Sequence, residues 1–188
     1  MMELIKGYTD DIKRLCDELD VESMSVVLEK IREAHAAGKR IFVGGNGGSA
    51  ATANHFVSDF GKNAVKGDVG RAKVIPLGSH VEAITAIGND ISFDSIFSEQ
   101  LKNLMEDGDV VLLISASGNS PNIVKAIEYA KSRNGYVIGF SGFSGGKLKE
   151  MSDVCVNVAI DSYEKVEDMH MALTHIIVCY FKSLNLGA

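Results

Sequence analysis

Short apolar runs alternate with longer amphipathic stretches along most of the chain. The apolar runs are six to eight residues long and occupy positions 40–45, 72–77, 109–115, 135–141 and 153–160. Helical spacing of apolar residues fills the stretches between and around them, at 3–19, 22–37, 49–60, 80–87, 93–104, 121–133, 147–151 and 164–181. Short, continuously apolar runs are typical of strands that are buried on both faces, and their alternation with helices predicts a parallel sheet.

The predicted fold is a doubly wound parallel α/β sheet flanked by helices, a three-layer sandwich of the flavodoxin-like kind. We expect residues 1–188 to form one domain: two leading helices, the α/β core and a long C-terminal helix. No linker, repeat or low-complexity tract interrupts this pattern, and a chain of this length can bury a sizeable core. The composition, 46% hydrophobic and 23% charged, is that of an ordinary globular protein.

Charge and targeting signals narrow the function classes. The net charge of −6 is scattered along the chain, which argues against a nucleic-acid or anionic-membrane partner. No secretory signal is visible, and the apolar C-terminal stretch is interrupted by polar residues. The three cysteines share no metal-site spacing, so we expect free thiols and a cytoplasmic location.

Two loops that follow predicted strands are rich in glycine and serine: GGNGGS at 44–49 and SASGNS at 115–120. Ligands of open parallel sheets bind beyond the carboxyl ends of the strands, where both loops lie. Each loop precedes a helix, and Pro121 suits the first position of its helix with Ser120 as the N-cap. Helix N-termini and close-approaching backbone amides predict an anion cradle without lysine or arginine. The alternative is a pair of ordinary strand–helix turns; neither loop matches a P-loop or a dinucleotide fingerprint.

Two histidines carry the candidate chemistry. If Ser49 opens its helix, His55 and Asp59 lie four residues apart on one face, as a metal-ligand pair, an acid/base pair or a simple surface pair. In the last helix, Asp168 and His175 lie nearly on one line, and this helix is apolar almost all round. Polar groups there are costly unless they are used, although a hydrogen-bonded core histidine remains an alternative for His175.

These residues together amount to a family resemblance. The stretches GGNGGSAATANHF (44–56), AIGND (86–90), LLISASGNSPNIVKAI (112–127) and VEDMHMALTH (166–175) resemble the sugar isomerase (SIS) family, and within it the phosphoheptose isomerases. The resemblance covers nearly the whole chain. It implies an aldose–ketose isomerase that converts sedoheptulose 7-phosphate to D-glycero-D-manno-heptose 7-phosphate through an enediol(ate). It also implies a homotetramer with active sites at subunit contacts.

The resemblance assigns roles to individual positions. It places the catalytic pair at Asp59 and His175. The implied zinc ligands are His55, Asp59, Glu167 and His175. The implied substrate-binding residues are Asn46, Gly47, Gly48, Ser49, Asn89, Asp90, Ser115, Ala116, Ser117, Ser120 and Glu167.

Three positions depart from the family pattern. Asp59 stands where the family has a catalytic glutamate, Glu167 where it has a glutamine, and Ala116 where a threonine is common. The family's arginine shortly after the glutamate has no clear counterpart; Lys62 is the nearest basic residue, with one residue missing between. Two further functions are therefore kept open: an isomerase of another phosphosugar, and a non-catalytic phosphosugar-sensing or protein-binding member of the family.

Overall fold

The computed structural model describes residues 1–65 and 70–184. In these ranges five strands alternate with eight α-helices and one short 3₁₀ helix, Phe93–Ser95. The strands are β1 Arg40–Gly45, β2 Lys73–Pro76, β3 Val110–Ser115, β4 Tyr136–Gly142 and β5 Val154–Val158. The helices are α1 Met2–Asp17, α2 Val21–Ala36, α3 Gly47–Asn63, α4 Val81–Asp90, α5 Ile96–Leu104, α6 Pro121–Ser132, α7 Gly146–Met151 and α8 Tyr163–Ser183.

The five strands form one sheet in the order β2-β1-β3-β4-β5, and all neighbouring pairs are parallel. The chain winds outward from β1 to β2 on one side and from β3 to β5 on the other. Strands β1 and β3 are therefore the neighbours at which the winding direction reverses. In sheets of this kind, the loops after these two strands diverge and leave a crevice for a ligand.

Helices cover both faces of the sheet, which explains why the strands are apolar throughout. On one face, alternate strand residues such as Val43 and Leu112 pack against α2, α3 and α8. On the other face, Phe42, Val111 and their neighbours pack against α5, α6 and α7. Helix α1 packs outside this arrangement, against α8. The expected three-layer fold is confirmed.

Most predicted elements agree with the structure to within three residues at each end. One difference concerns α3, which begins at Gly47 with Asn46 as its N-cap, rather than at Ser49. Among the described residues, no helix is both long and apolar enough to cross a membrane.

Candidate active site

The carboxyl ends of β1 and β3 lie side by side, with Gly45 opposite Ile114 in the sheet register. This brings the two glycine- and serine-rich loops to one pocket of about 200 Å³. Its lining residues are Asn46, Ser49, Ser115, Ala116, Ser117, Ser120, Tyr163 and Glu167. Seven of these eight are residues that the sequence predicts to bind substrate. No lysine or arginine occurs among the described residues of the lining, and Glu167 is its one charged member.

The N-terminus of α3 forms one wall of this pocket. Its N-cap, Asn46, has an extended backbone but makes no hydrogen bond to the helix through its side chain. The first N–H groups of a helix have no partner within the helix, so they are available to a ligand here. The carboxylate of Glu167, on α8, lies directly over Gly48, and a Cβ at position 48 would overlap it.

The loop after β3 forms the opposite wall. The hydroxyl of Ser115 accepts a hydrogen bond from the Gly118 amide at 3.2 Å, and the Ser117 hydroxyl accepts one from the Asn119 amide at 3.3 Å. Ser120 is the N-cap of α6, with Pro121 following as predicted, but its side chain makes no cap bond. Helices α3 and α6, which follow the two loops, therefore both begin without a side-chain cap.

A second cluster lies farther along α3 and on α8. The Nε2 atoms of His55 and His175 are 2.9 Å apart, so in the absence of a metal one ring donates its N–H to the other. The Oδ2 atom of Asp59 lies 3.5 Å from the Nε2 of His55 and 3.9 Å from that of His175. All three side chains are partly exposed, so they are accessible to a ligand.

The structure does not bring Glu167 to this cluster within the chain. Helices α3 and α8 run in the same direction, because Glu167 meets Gly48 near their beginnings and His175 meets His55 farther along. Glu167 and His175 are eight positions apart along α8, a rise of about 12 Å. Of the four predicted zinc ligands, the chain itself therefore groups His55, Asp59 and His175.

Two other predicted substrate residues, Asn89 and Asp90, lie at the exposed end of α4. The amide of Asn89 donates to the Asp90 carboxylate at 2.7 Å, and neither residue lines the pocket between the two loops. The 3₁₀ helix that follows borders a smaller, apolar hollow of about 160 Å³ beside Gly47. The sequence motif at 86–90 thus lies outside the loop pocket of this chain.

The other polar residues of α8 have structural partners. Asp168 does not pair with His175; its carboxylate accepts a hydrogen bond from the Tyr8 hydroxyl at 2.6 Å, which raises the pKa of Tyr8 to about 12. His170 is fully buried, and its Nε2 lies 3.0 Å from the Ser141 carbonyl oxygen. Burial lowers the pKa of His170 to about 4, so this ring is neutral at physiological pH.

Two residues at the pocket were missed from the sequence. Tyr163, the first residue of α8, lines the pocket, and Asn122, the second residue of α6, exchanges two hydrogen bonds with Asn46. A polar residue directly after a serine–proline helix start is a signal that could have identified Asn122. Tyr163 lies far from both loops in sequence and carries no such signal.

Comparisons with known proteins identify the family to which the chain belongs. A family model described as the SIS domain matches residues 7–142. A phosphoheptose isomerase from Rhodospirillum rubrum is 37% identical over 164 residues, which cover 86% of this chain and 84% of that protein. The chain belongs to the phosphoheptose isomerase family of SIS domain proteins.

Other members of the phosphoheptose isomerase family agree in extent and fold. The phosphoheptose isomerase of Geotalea daltonii is 35% identical over 187 residues, covering 94% of this chain and 93% of that protein. The solved structure of phosphoheptose isomerase from Neisseria gonorrhoeae superposes with a TM-score of 0.89 at 31% identity, covering 97% of this chain and 98% of that one. The resemblance drawn from the sequence motifs is thereby confirmed.

Proposed function

We propose that this chain interconverts sedoheptulose 7-phosphate and D-glycero-D-manno-heptose 7-phosphate. The observation that carries the proposal is the presence of two features along α3, one at the start of the helix and one farther along it. Two uncapped helix N-termini face the pocket between the loops, and an imidazole–carboxylate cluster lies farther along α3 and α8. The first feature suits a phosphate and the second suits proton transfer. The names of the relatives support the heptose as the sugar.

The phosphate is proposed to bind between the starts of α3 and α6. Backbone N–H groups at a helix N-terminus, with the positive end of the helix dipole, are a general anion site. The hydroxyls of Ser115, Ser117 and Ser120 supply further donors at the same pocket. An anchored phosphate contributes binding energy that is remote from the reacting carbons and orients them.

Asp59 and His175 are proposed to move the protons. Isomerisation of the ketose removes a proton from carbon 1, forms an enediol(ate) and returns a proton to carbon 2. At the same time the oxygen on carbon 1 loses a proton and the oxygen on carbon 2 gains one. A carboxylate and an imidazole can divide these transfers between them, one at carbon and one at oxygen. The Oδ2 of Asp59 and the Nε2 of His175 lie 3.9 Å apart. If these two atoms hold a metal, the second carboxylate oxygen and the Nδ1 of the ring remain for the proton transfers.

A zinc ion is the proposed cofactor, held by His55, Asp59 and His175. Zinc ligands at 2.0–2.1 Å in a tetrahedral site lie roughly 3.3 Å from one another. The three donor atoms here are 2.9, 3.5 and 3.9 Å apart, and two imidazoles with one carboxylate form an ordinary zinc donor set. The residues therefore fit the ion. Bound zinc would supply Lewis acidity at the carbonyl oxygen.

A homotetramer with active sites at subunit contacts is proposed as the functional form. The start of α1 exposes Met2, Leu4 and Ile5, which are 80%, 75% and 52% exposed, and such a stripe favours burial against another copy. A second copy could also bring its own Glu167 towards the histidine cluster, from which Glu167 is separated within one chain. Sedimentation-equilibrium measurement of the mass tests the tetramer.

The direct test of the proposed function is a conversion assay on purified protein with several phosphosugars. We expect sedoheptulose 7-phosphate to be converted and ketohexose and ketopentose phosphates to react far more slowly. Loss of conversion in Ser117→Ala/Ser120→Ala through a raised KM would support the phosphate site. Faster conversion of another phosphosugar would show that the protein isomerises that sugar instead. Binding without conversion would favour a non-catalytic phosphosugar sensor.

Metal content is measured separately. Protein purified without an affinity tag or chelator should contain zinc by elemental analysis and should lose it in His55→Ala. Metal-free protein with full activity would contradict the zinc assignment and leave the carboxylate–histidine chemistry intact.

A further inference from the structure

A pair of amide side chains, one buried and one half-buried, joins the two loops of the pocket. The Nδ2 of Asn46 donates to the Oδ1 of Asn122 at 2.9 Å, and the Nδ2 of Asn122 donates to the Oδ1 of Asn46 at 3.0 Å. Asn122 is only 2% exposed. Asn46 precedes α3 and Asn122 lies in the first turn of α6, so these two bonds link the helix starts that form the opposite walls.

This pairing explains an unusual feature of α3. Asparagine is among the most favourable N-cap residues, because its side-chain oxygen accepts a hydrogen bond from the N–H of the second or third helical residue. Asn46 holds the N-cap position with extended backbone, yet its side chain makes no such bond. Its Oδ1 is instead occupied by Asn122. The amides that the cap would have satisfied belong to Gly48 and Ser49. Ser49 lines the pocket, and the Glu167 carboxylate lies over Gly48.

We infer that Asn122 is a positioning residue for the anion site: it holds the Asn46 side chain away from the start of α3, so that no Asn46 cap competes with a phosphate for the amides of Gly48 and Ser49. That the natural anion is a sugar phosphate rests on the proposed function. The amide pair and the missing cap do not depend on it. Without Asn122, the Asn46 side chain is free to cap α3, and a phosphate must displace it.

The expected size of the effect follows from the strength of a cap. An asparagine N-cap favours the capped conformation about fivefold. A cap that competes for the same amides therefore weakens the binding of an anion by a similar factor. We therefore expect loss of the amide pair to weaken phosphate binding about fivefold. The domain should stay folded, because the same cap stabilises α3.

The first variant is Asn122→Asp, tested by titration calorimetry with inorganic phosphate. At pH 7.5 the new carboxylate accepts from the Asn46 amide but cannot donate to its oxygen, so two acceptors face each other. Binding should weaken about fivefold relative to the wild type. At lower pH the protonated carboxyl regains one donor and one acceptor, and the ratio of the two dissociation constants should return towards one. A purely structural defect would not be relieved in this way.

Asn157→Asp is the matched control. The Asn157 amide donates to the Phe143 carbonyl at 3.2 Å and accepts from the Ser141 hydroxyl at 2.8 Å, and it does not contact Asn46. The same exchange of amide for carboxylate should leave phosphate affinity at the wild-type value.

A second pair of variants tests the competing cap without introducing charge. Asn122→Ala should weaken phosphate binding, and Asn46→Ala/Asn122→Ala should bind more tightly than Asn122→Ala alone, since no side chain remains to cap α3. The inference is overturned if Asn122→Ala binds as the wild type does, if the double variant binds no better than the single one, or if the wild type binds no phosphate.

The proposed function is tested separately on the same preparation. The wild-type protein from the same preparation is assayed for conversion of sedoheptulose 7-phosphate. If it binds phosphate with the expected ratios but converts no heptulose phosphate, the proposed function fails and the role of Asn122 stands. If it converts the sugar but the variants bind phosphate normally, the inference fails and the function stands.

Discussion

Replacement of Gly118 by alanine tests whether the loop after β3 depends on its backbone conformation. Gly118 has a φ of +65°, in the left-handed region that L residues with a side chain avoid. Its amide donates to Ser115, and its carbonyl oxygen accepts from the Leu148 amide at 2.9 Å, which holds the loop against α7. A Cβ added here would lie 2.8 Å from the carbonyl carbon of Gly145, well inside the optimal separation of about 3.5–4.0 Å.

Two costs determine how far the substitution lowers the free energy of unfolding. The left-handed conformation costs a non-glycine residue about 1–2 kcal/mol. Forcing a methyl group into packed backbone costs about 1–3 kcal/mol more. We therefore expect Gly118→Ala to lower the free energy of unfolding by about 3 kcal/mol. For a domain of this size, that corresponds to a fall in Tm of about 6–12 °C.

Two further glycine-to-alanine variants distinguish the conformational cost from the steric cost in the same thermal-unfolding assay. Gly47 has a φ of +53° with open space around its would-be Cβ, so Gly47→Ala carries the conformational cost alone, about 2–8 °C in Tm. Gly7 lies inside α1 with ordinary φ and open space, so Gly7→Ala should leave Tm unchanged or raise it slightly. A Gly118→Ala protein that melts within 2 °C of the wild type would refute the reasoning.

Three further predictions concern the site and the core. Asp59→Asn and His175→Gln should each lower kcat about 10²–10⁴-fold in a conversion assay, with wild-type rates in both contradicting the assignment. Glu167→Gln should lower the KM for a phosphosugar several-fold, because it removes the one negative charge that lines the pocket, and an unchanged or higher KM would show that the carboxylate does not oppose the phosphate. Because burial lowers the pKa of His170 from 6.5 to about 4, the unfolded chain binds a proton there that the folded chain does not. The free energy of unfolding should therefore fall by about 3 kcal/mol as the pH drops through that window; His170→Gln should abolish this component, and identical pH profiles would disprove it.

The fold and the loop pocket could be predicted because their signals are local. Strands buried on both faces read as continuous apolar runs, and glycine and serine mark each strand–helix turn. The order of the strands then brings the loops after β1 and β3 together without further information from the side chains. Ser115, Ser117 and Ser120 reach one pocket for this reason.

The parts that could not be predicted depend on contacts between distant elements. The spacing within α8 puts Asp168 and His175 on one line, but α1 supplies Tyr8 as the partner of Asp168. Nothing in the sequence of the first turn of α3 shows that the Asn46 side chain pairs with Asn122, 76 positions later, instead of capping its own helix. The zinc set predicted from the family includes Glu167, whose distance from His175 follows from helix geometry and could have been estimated from the sequence.

The most direct measurement of the central claim is solvent exchange during turnover. The protein is incubated with sedoheptulose 7-phosphate in deuterium oxide, and the sugar is followed by proton nuclear magnetic resonance. Proton transfer through an enediol(ate) predicts that D-glycero-D-manno-heptose 7-phosphate appears with deuterium at carbon 2, and that Asp59→Asn and His175→Gln suppress both product and exchange. A wild-type protein that binds the sugar phosphate but neither converts it nor exchanges a carbon-bound proton would contradict the account.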